Sequence, residues 1–313
     1  MEKTAKIYVA GHQGLVGRAI LRQLLVRGVQ NLIYRSSSEL DLRDQGATSR
    51  FFEQERPEYV FLAAAKVGGI YANMTRPAEF IYDNLMIQTN VLQKAYESQV
   101  KRLMFLASSC IYPKHCPQPM KEEYLLTGKL EPTNDAYAVA KIAGITMCQA
   151  YNRQYNTEFI PVMPTNLYGP GDNFDPLDSH VIPALIRRFQ EAKIKEAKEA
   201  VVWGTGTTRR EFLYVDDLAD ACLFLMENYQ EKELINIGVG RDLTIEELAG
   251  MVAKVVGFQG RIVFDTSYPD GTPRKLLDTS RLSQLGWRPR TTLEEGLEKT
   301  YEWFLGAIEP ANN

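Results

Sequence analysis

The chain has 313 residues, 45% hydrophobic and 24% charged, a globular composition long enough for one large or two moderate domains around a packed core. Its formal net charge of -3 at pH 7 gives no electrostatic reason to expect nucleic acid or an anionic membrane as partner. No apolar run approaches the roughly 20 residues of a membrane span, and the first residues carry no secretory pattern. The four cysteines lack zinc-finger or Cys-x-x-Cys spacing, so a reduced cytoplasmic protein without a metal site is expected.

In chain order, Lys6–Ala10 is a short apolar run that ends at glycine, as a buried parallel strand would. Leu15–Val26 carries apolar residues at helical spacing and stops near Gly28. Strand candidates follow at 32–35, 59–64, 103–107 and Phe159–Pro164, separated by helical stretches at about 45–54, 81–99 and 137–155. This alternation predicts an α/β fold, a doubly wound parallel sheet of Rossmann type with helices on both faces. After about Pro170 the pattern loosens. Residues 172–179 read as loop, 181–197 as a helix rich in Arg and Lys, 200–203 as a strand, and Val215–Asn228 and 244–256 as helices. The segments starting at Trp203 and Pro269 are turn-rich. The expected organisation is a nucleotide-binding domain at 1–170, joined by parts of 210–240, and a smaller α/β substrate lobe made mainly of 171–313. The ligand site is then expected in the cleft between them.

Gly11-His12-Gln13-Gly14-Leu15-Val16-Gly17 follows the first strand and opens the first helix. Small residues let the backbone approach a pyrophosphate, and a helix N-terminus offers free N–H donors and partial positive charge. A glycine turn of this kind can be purely structural. Its place in the first turn of a βαβ unit makes Gly11, Gln13, Gly14, Leu15, Val16 and Gly17 candidates for dinucleotide binding. At the end of the second strand, an acid favours the ribose hydroxyls of NAD and arginine favours the 2′-phosphate of NADP. Here Arg35 is followed by Ser36, Ser37 and Ser38, which leans toward NADP(H), while nearby Glu39 leaves NAD(H) open.

Tyr137 and Lys141 are four residues apart on a predicted helix and so share a face. A tyrosine with pKa about 10 is a poor acid–base group at neutral pH. A neighbouring ammonium is expected to draw it toward neutrality, so that it protonates a carbonyl oxygen while hydride reaches the carbon. Tyr-x-x-x-Lys alone is common on helix surfaces. Here it lies one strand–helix step after Ser108-Ser109-Cys110, a strand end whose hydroxyls can reach the same carbonyl.

Through its glycine loop, Ser108 and Tyr-x-x-x-Lys, the chain resembles the extended short-chain dehydrogenase/reductase family. Longer blocks narrow the likeness: 63–70 (Ala-Ala-Ala-Lys-Val-Gly-Gly-Ile), 108–113, 131–134 (Glu-Pro-Thr-Asn), 137–144, 163–170, 179–185, 210–213 and 270–278. Over nearly the whole chain they are similar to the GDP-L-fucose synthase branch of that family. The resemblance implies conversion of GDP-4-keto-6-deoxy-D-mannose to GDP-L-fucose, by epimerisation at C3 and C5 and NADPH-dependent reduction at C4. A C4 ketone acidifies the protons on both neighbouring carbons, and each inversion needs a base and an acid. Cysteine and histidine titrate near neutral pH and suit these roles.

The same resemblance places Cys110 as base, His180 as acid, and Ser108, Tyr137 and Lys141 at the reduction. It adds Asp41, Leu42, Ala107, Ser108 and Ser109 to the cofactor site, with Pro164, Thr165, Asn166, Leu167 and His180. Ser108, Ser109, Cys110, Asn166, Arg188, Trp203, Arg210, Asp270 and Lys275 are implied to contact the GDP-sugar, the arginine forks matching its diphosphate. Each has a plainer reading: adjacent arginines often form a solvated face, a lone tryptophan is often core, and a free cysteine is often a small buried hydrophobe. The family commonly has arginine where this chain has Gln13 and Ser37, which leaves Arg35 as the nearest cation for a 2′-phosphate. Two other functions stay open at this level: a relative acting on another GDP-4-keto sugar (a dideoxy sugar or deoxyheptose), and a non-catalytic nucleotide-binding protein. A homodimer built on the helices near 81–99 and 137–155 is also implied.

Overall fold

In the computed structural model, which describes residues 1–176, 179–268 and 270–308, strands and helices alternate through the first half of the chain. The elements are β1 (Lys6–Ala10), α1 (Leu15–Val26), β2 (Asn31–Ile33), α2 (Gln45–Glu55), β3 (Tyr59–Leu62), α3 (Ile70–Thr75), α4 (Pro77–Glu97), β4 (Arg102–Leu106), α5 (Asp135–Tyr155) and β5 (Phe159–Pro164). There follow β6 (Asn166–Tyr168), α6 (Val181–Ile194), β7 (Glu199–Trp203), β8 (Arg209–Arg210), β9 (Phe212–Tyr214), α7 (Val215–Asn228) and β10 (Ile235–Ile237). The last are β11 (Leu243–Thr244), α8 (Ile245–Val256), β12 (Arg261–Asp265), β13 (Arg274–Lys275), α9 (Ser280–Gln284) and α10 (Leu293–Ile308).

Among the described residues, six strands form a parallel sheet in the order β2-β1-β3-β4-β5-β10. This is the doubly wound sheet read from the sequence. The chain leaves β1 for β2 on one side and returns to β3 on the other, so the topological switch lies at the carboxyl ends of β1 and β3. Along β1 the side chains alternate between two cores. Ile7 and Val9 join Ala19, Leu24 and Leu218 beneath α1 and α7, whereas Tyr8 and Ala10 join Phe51, Phe52 and Val91 beneath α2, α4 and α5. Burying one such large side chain contributes roughly 1.5–3 kcal/mol, which is why a strand of five residues holds its place.

Helix α4 begins a turn earlier than the periodicity indicates, because Pro77 occupies its first turn, where a missing N–H costs nothing. Beyond β5, β6 pairs with β9, β8 with β13 and β11, and β7 with β12, and a third core around Phe189, Leu248 and Leu297 lies among α6, α8 and α10. The segment 210–240 also serves the main sheet, since β10 extends it and α7 packs on α1. The sequence pattern assigned no helix or strand beyond residue 256. There α10 is started by a reciprocal cap in which Thr292 N donates to Glu295 Oε2 (2.9 Å) and Glu295 N donates to Thr292 Oγ1 (3.3 Å). Of the two loops expected around 172–179 and 269–273, Leu177, Asp178 and Pro269 lie outside the described residues. No described helix is long and apolar enough to cross a membrane, and no described group of His, Cys, Asp and Glu could hold a metal.

Candidate active site

Gly11 leaves β1 with φ +83°, and a Cβ there would stand 2.6–2.8 Å from the backbone of Ala63 and Ala64 at the end of β3. Only glycine accommodates both the left-handed backbone and the close approach. A side chain at Gly17, in the first turn of α1, would collide with the Gly11 carbonyl. Gly14 caps α1 without a side chain, which leaves first-turn N–H groups for a ligand. The loop opens onto a groove of about 910 Å³ at the topological switch.

Gly11, Gln13, Gly14, Leu15, Val16 and Gly17 line this groove, with Arg35, Asp41 and Leu42 along one side. Ala107, Ser108, Tyr137, Lys141, Pro164, Thr165, Asn166, Leu167 and His180 also line it. Ser109 lies outside this lining. It is buried in a short 3-10 turn, Ser109–Ile111, and lines neither this groove nor the adjoining cavity. Arg35 already pairs with Glu55 (2.7 Å) and lies over the Phe51 ring. Glu39 accepts from Ser36 N and Oγ (2.7 Å each), and these bonds hold its carboxyl below the usual range.

Sequence reasoning missed several groups in the groove. Arg43 spans Asp41 (2.8 Å) and Asp83 (3.2 Å), and Lys66 also reaches Asp83 (3.1 Å). Lys66 sits in a block with family resemblance, but no local pattern joins Arg43 to a carboxylate on α4. Asp172 is another: its Oδ2 is buried without a hydrogen-bond partner, and burial pushes its carboxyl up to about 7.

At the inner end of the groove, Lys141 on α5 is 3% exposed. Its Nζ donates to the Leu106 carbonyl at the end of β4 (2.9 Å) and lies 5.8 Å from the centre of the Tyr137 ring. Burial pulls its pKa down to about 8. Tyr137 departs from the expectation. Its phenol is raised rather than lowered, first by burial and then by Cys110. Desolvation of a phenolate outweighs help from an ammonium whose hydrogen bond goes to Leu106. A phenol kept protonated is the form that can donate.

Ser108, Tyr137, Asn166, Leu167 and His180 line both the groove and a second cavity of about 440 Å³. Cys110, Arg188, Trp203, Arg210, Asp270 and Lys275 line this cavity as well, brought in from β4, α6, β7, β8 and the segment entering β13. His180 is the exposed N-cap of α6. Burial raises the Cys110 thiol, and Lys275 leads the groups that oppose the rise, followed by a hydrogen bond with Ser108. Lys275 is itself lowered by burial. Trp203 is no core residue: it is 42% exposed, its ring stacks on Tyr268 at 4.3 Å and 8° from parallel, and the Arg188 guanidinium lies 4.9 Å from it. Parallel pairing of β8 with β13 sets Arg210 opposite Lys275. Arg210 Nη2 donates to the Asp270 carbonyl (3.3 Å), and Thr205 N donates to Asp270 Oδ1 (2.8 Å).

Tyr268 carries no spacing signal and was missed, as was Glu211. Glu211 is fully buried and accepts from Val239 N and Gly240 N (2.6 Å each) and from Leu277 N (3.0 Å), which fastens the segment bearing Lys275. The signal for Glu211 was a single acid inside an otherwise strand-like stretch.

A doubly wound sheet whose dinucleotide-sized groove, with Lys141 in its wall, meets a cation-rimmed cavity at Ser108, Tyr137 and His180 defines a nicotinamide-dependent enzyme of the short-chain dehydrogenase/reductase type. A family profile described as NAD dependent epimerase/dehydratase matches residues 7–238. GDP-L-fucose synthase 1 of Arabidopsis thaliana is 60% identical over 304 residues, 97% of this chain and 94% of the relative. GDP-L-fucose synthase of Escherichia coli strain K12 is 57% identical over 309 residues, 96% of each chain. A solved GDP-L-fucose synthetase from Naegleria fowleri bound to NADP has a TM-score of 0.92 at 31% identity, covering 100% of this chain and 98% of that one. The chain belongs to the NAD dependent epimerase/dehydratase family and, within it, to the GDP-L-fucose synthases.

Proposed function

We propose that the chain converts GDP-4-keto-6-deoxy-D-mannose to GDP-L-fucose, inverting C3 and C5 and then reducing the C4 ketone with a nicotinamide cofactor. The observation that carries this reading is the wall shared by groove and cavity, where Ser108, Tyr137 and His180 line both. A keto sugar in the smaller cavity then has its carbonyl at the hydroxyls and its neighbouring carbons within the domain of Cys110 and His180.

Cys110 takes the proton from the carbon beside the ketone, and Ser108 holds the enolate oxygen by a hydrogen bond. His180 returns a proton to the opposite face. Lys275 opposes the burial of the thiolate that Cys110 must form. After both inversions Tyr137 gives its proton to the C4 oxygen, and Lys141 stabilises the resulting phenolate. The nicotinamide, when bound, supplies the hydride for that step. Arg188 and Arg210 receive the diphosphate, and Trp203 with Tyr268 offers a face for the base.

The groove fits the cofactor: its glycines leave a cradle that a Cβ would fill, and its volume is that of a dinucleotide-sized cleft. We take NADP(H) as that cofactor, with Arg35 and Ser36 to Ser38 at the 2′-phosphate and NAD(H) as a second substrate of the same groove. Faster turnover with NADPH than NADH at matched concentration supports this, and a preference for NADH overturns the cofactor assignment alone. In this reading residues 1–170, with parts of 210–240, bind the nucleotide, and 171–313 mainly bind the GDP-sugar. Exposed Tyr82 on α4 and Val139 on α5 support a homodimer through those helices, and the free cysteines suit a reducing cytoplasm. The decisive experiment is turnover of GDP-4-keto-6-deoxy-D-mannose with NADPH, the product's stereochemistry read by NMR. A reduced sugar without inversion at C3 and C5 would overturn the epimerase half.

A further inference from the structure

A separate cavity of about 580 Å³ lies on the far side of Phe212, a residue that also lines the substrate cavity. The 238–243 loop, α9 and the 287–293 segment surround it. Tyr168, Phe212, Leu282 and Leu293 give it an apolar floor, and Thr279 and Ser283 add hydroxyls. Arg241, Arg288 and Arg290 stand around the rim, all exposed. Among the described residues none of these three guanidinium groups has an ion pair or a hydrogen bond. The acid in the lining, Asp242, is already committed to Arg209 (3.1 Å) and Arg274. Asp217 and Glu295 bond the backbone of Arg290, Thr291 and Thr292 in the lining, but no described carboxylate pairs with the three guanidinium groups, so the three like charges raise the local potential and favour an anionic occupant.

We propose that this cavity is a second ligand site, taking a nucleoside diphosphate. Arginine forks hold phosphate oxygens bidentately, and the apolar floor covers the base. The volume falls within the roughly 300–1,000 Å³ of small-molecule pockets. The site is tied to the catalytic cavity through two acids. Glu211 bonds Val239 and Gly240 on the lip and Leu277 just past Lys275. Asp242, also on the lip, pairs with Arg209 and Arg274, the chain neighbours of Arg210 and Lys275. A ligand that draws on the lip therefore bears on the strands presenting those two cations.

Isothermal titration of the full chain with GDP tests the site. The variant R241S/R288S/R290S is expected to bind one GDP fewer per chain than the parent, with unchanged melting temperature and unchanged turnover at saturating substrate. R288S/R290S, which keeps one arginine, is expected to weaken that site at least tenfold and serves if the triple variant is less stable. Equal stoichiometry and equal affinity in parent and variants overturn the proposal. The reading is the difference between parent and variant, so it stands apart from whether the catalytic cavity itself takes GDP.

Discussion

Lys141 Nζ donates to the carbonyl of Leu106 at 2.9 Å while standing 5.8 Å from the centre of the Tyr137 ring. The end of β4 thus holds a buried amine beside a half-buried tyrosine, and the two are displaced in opposite directions: the amine falls to about 8 and the phenol rises. Both shifts favour neutral forms, the common consequence of removing water.

Tyr137→Phe removes the proton donor and leaves the ring. Reduction should fall by about 10²–10⁴-fold, while deuterium exchange at C3 and C5 and nucleotide affinity persist. Single-turnover oxidation of NADPH alongside NMR of the sugar separates these. Loss of exchange as severe as loss of reduction would mean that Tyr137 acts earlier.

For Lys141 the pH dependence has a definite sign. The unfolded amine titrates at 10.5 and the folded one at about 8, so between these values the unfolded chain binds more protons and stability rises with pH. Below pH 8 the native state carries a penalty of about 3 kcal/mol. Lys141→Met should abolish reduction yet stabilise the fold near pH 7 by up to about that amount, the gain shrinking to nothing above pH 10.5. Urea unfolding at several pH values measures it, and a gain independent of pH would exclude the buried amine as its source.

Lys275 is the leading group that opposes the rise of the Cys110 thiol. Cys110→Ser is expected to slow exchange of the C3 and C5 protons strongly, and rapid deuterium incorporation by that variant would remove Cys110 from the base role. Lys275→Met leaves the thiol in place but raises it further, so the rising limb of exchange moves to higher pH. An unshifted limb with only a higher KM would confine Lys275 to substrate binding.

Two glycines should respond in opposite ways to the same methyl group. At Gly17 a Cβ meets the Gly11 carbonyl, an immovable backbone atom, so Gly17→Ala should abolish nucleotide binding and lower stability. At Gly250, within α8, a Cβ meets nothing within 4 Å, so Gly250→Ala should raise stability by about 1 kcal/mol. Thermal melts with and without NADPH check both.

The parts of the fold that were legible are those whose signal is local and repeated. β1, α1, α7 and the sheet they build show apolar periodicity across enough residues to be read without a partner. β8, β10 and β13 are two or three residues long, too short for any period, and exist only because neighbouring strands supply hydrogen bonds. α10 could have been found from Thr292 and Glu295, a cap signature three residues apart. Ser109 shows the opposite limit. It sits between two cavity-lining residues, yet a tight turn buries it, and motif position alone cannot separate adjacent side chains.

Readable from the order of residues alone was the chemical inventory: a glycine turn after the first strand, a hydroxyl and a thiol at a strand end, Tyr137 and Lys141 on one helix face, and paired arginines beyond. Those are covalent facts and short-range spacings. The ionisation and the neighbours of these groups came from the packing of distant segments. It raised Tyr137 where an adjacent lysine predicted lowering, paired Arg35 with Glu55, brought Lys275 to Cys110, and used Glu211 to fasten a loop. Desolvation and long-range pairing depend on which atoms replace water around a group, and that follows from packing between distant segments rather than from neighbours in the chain.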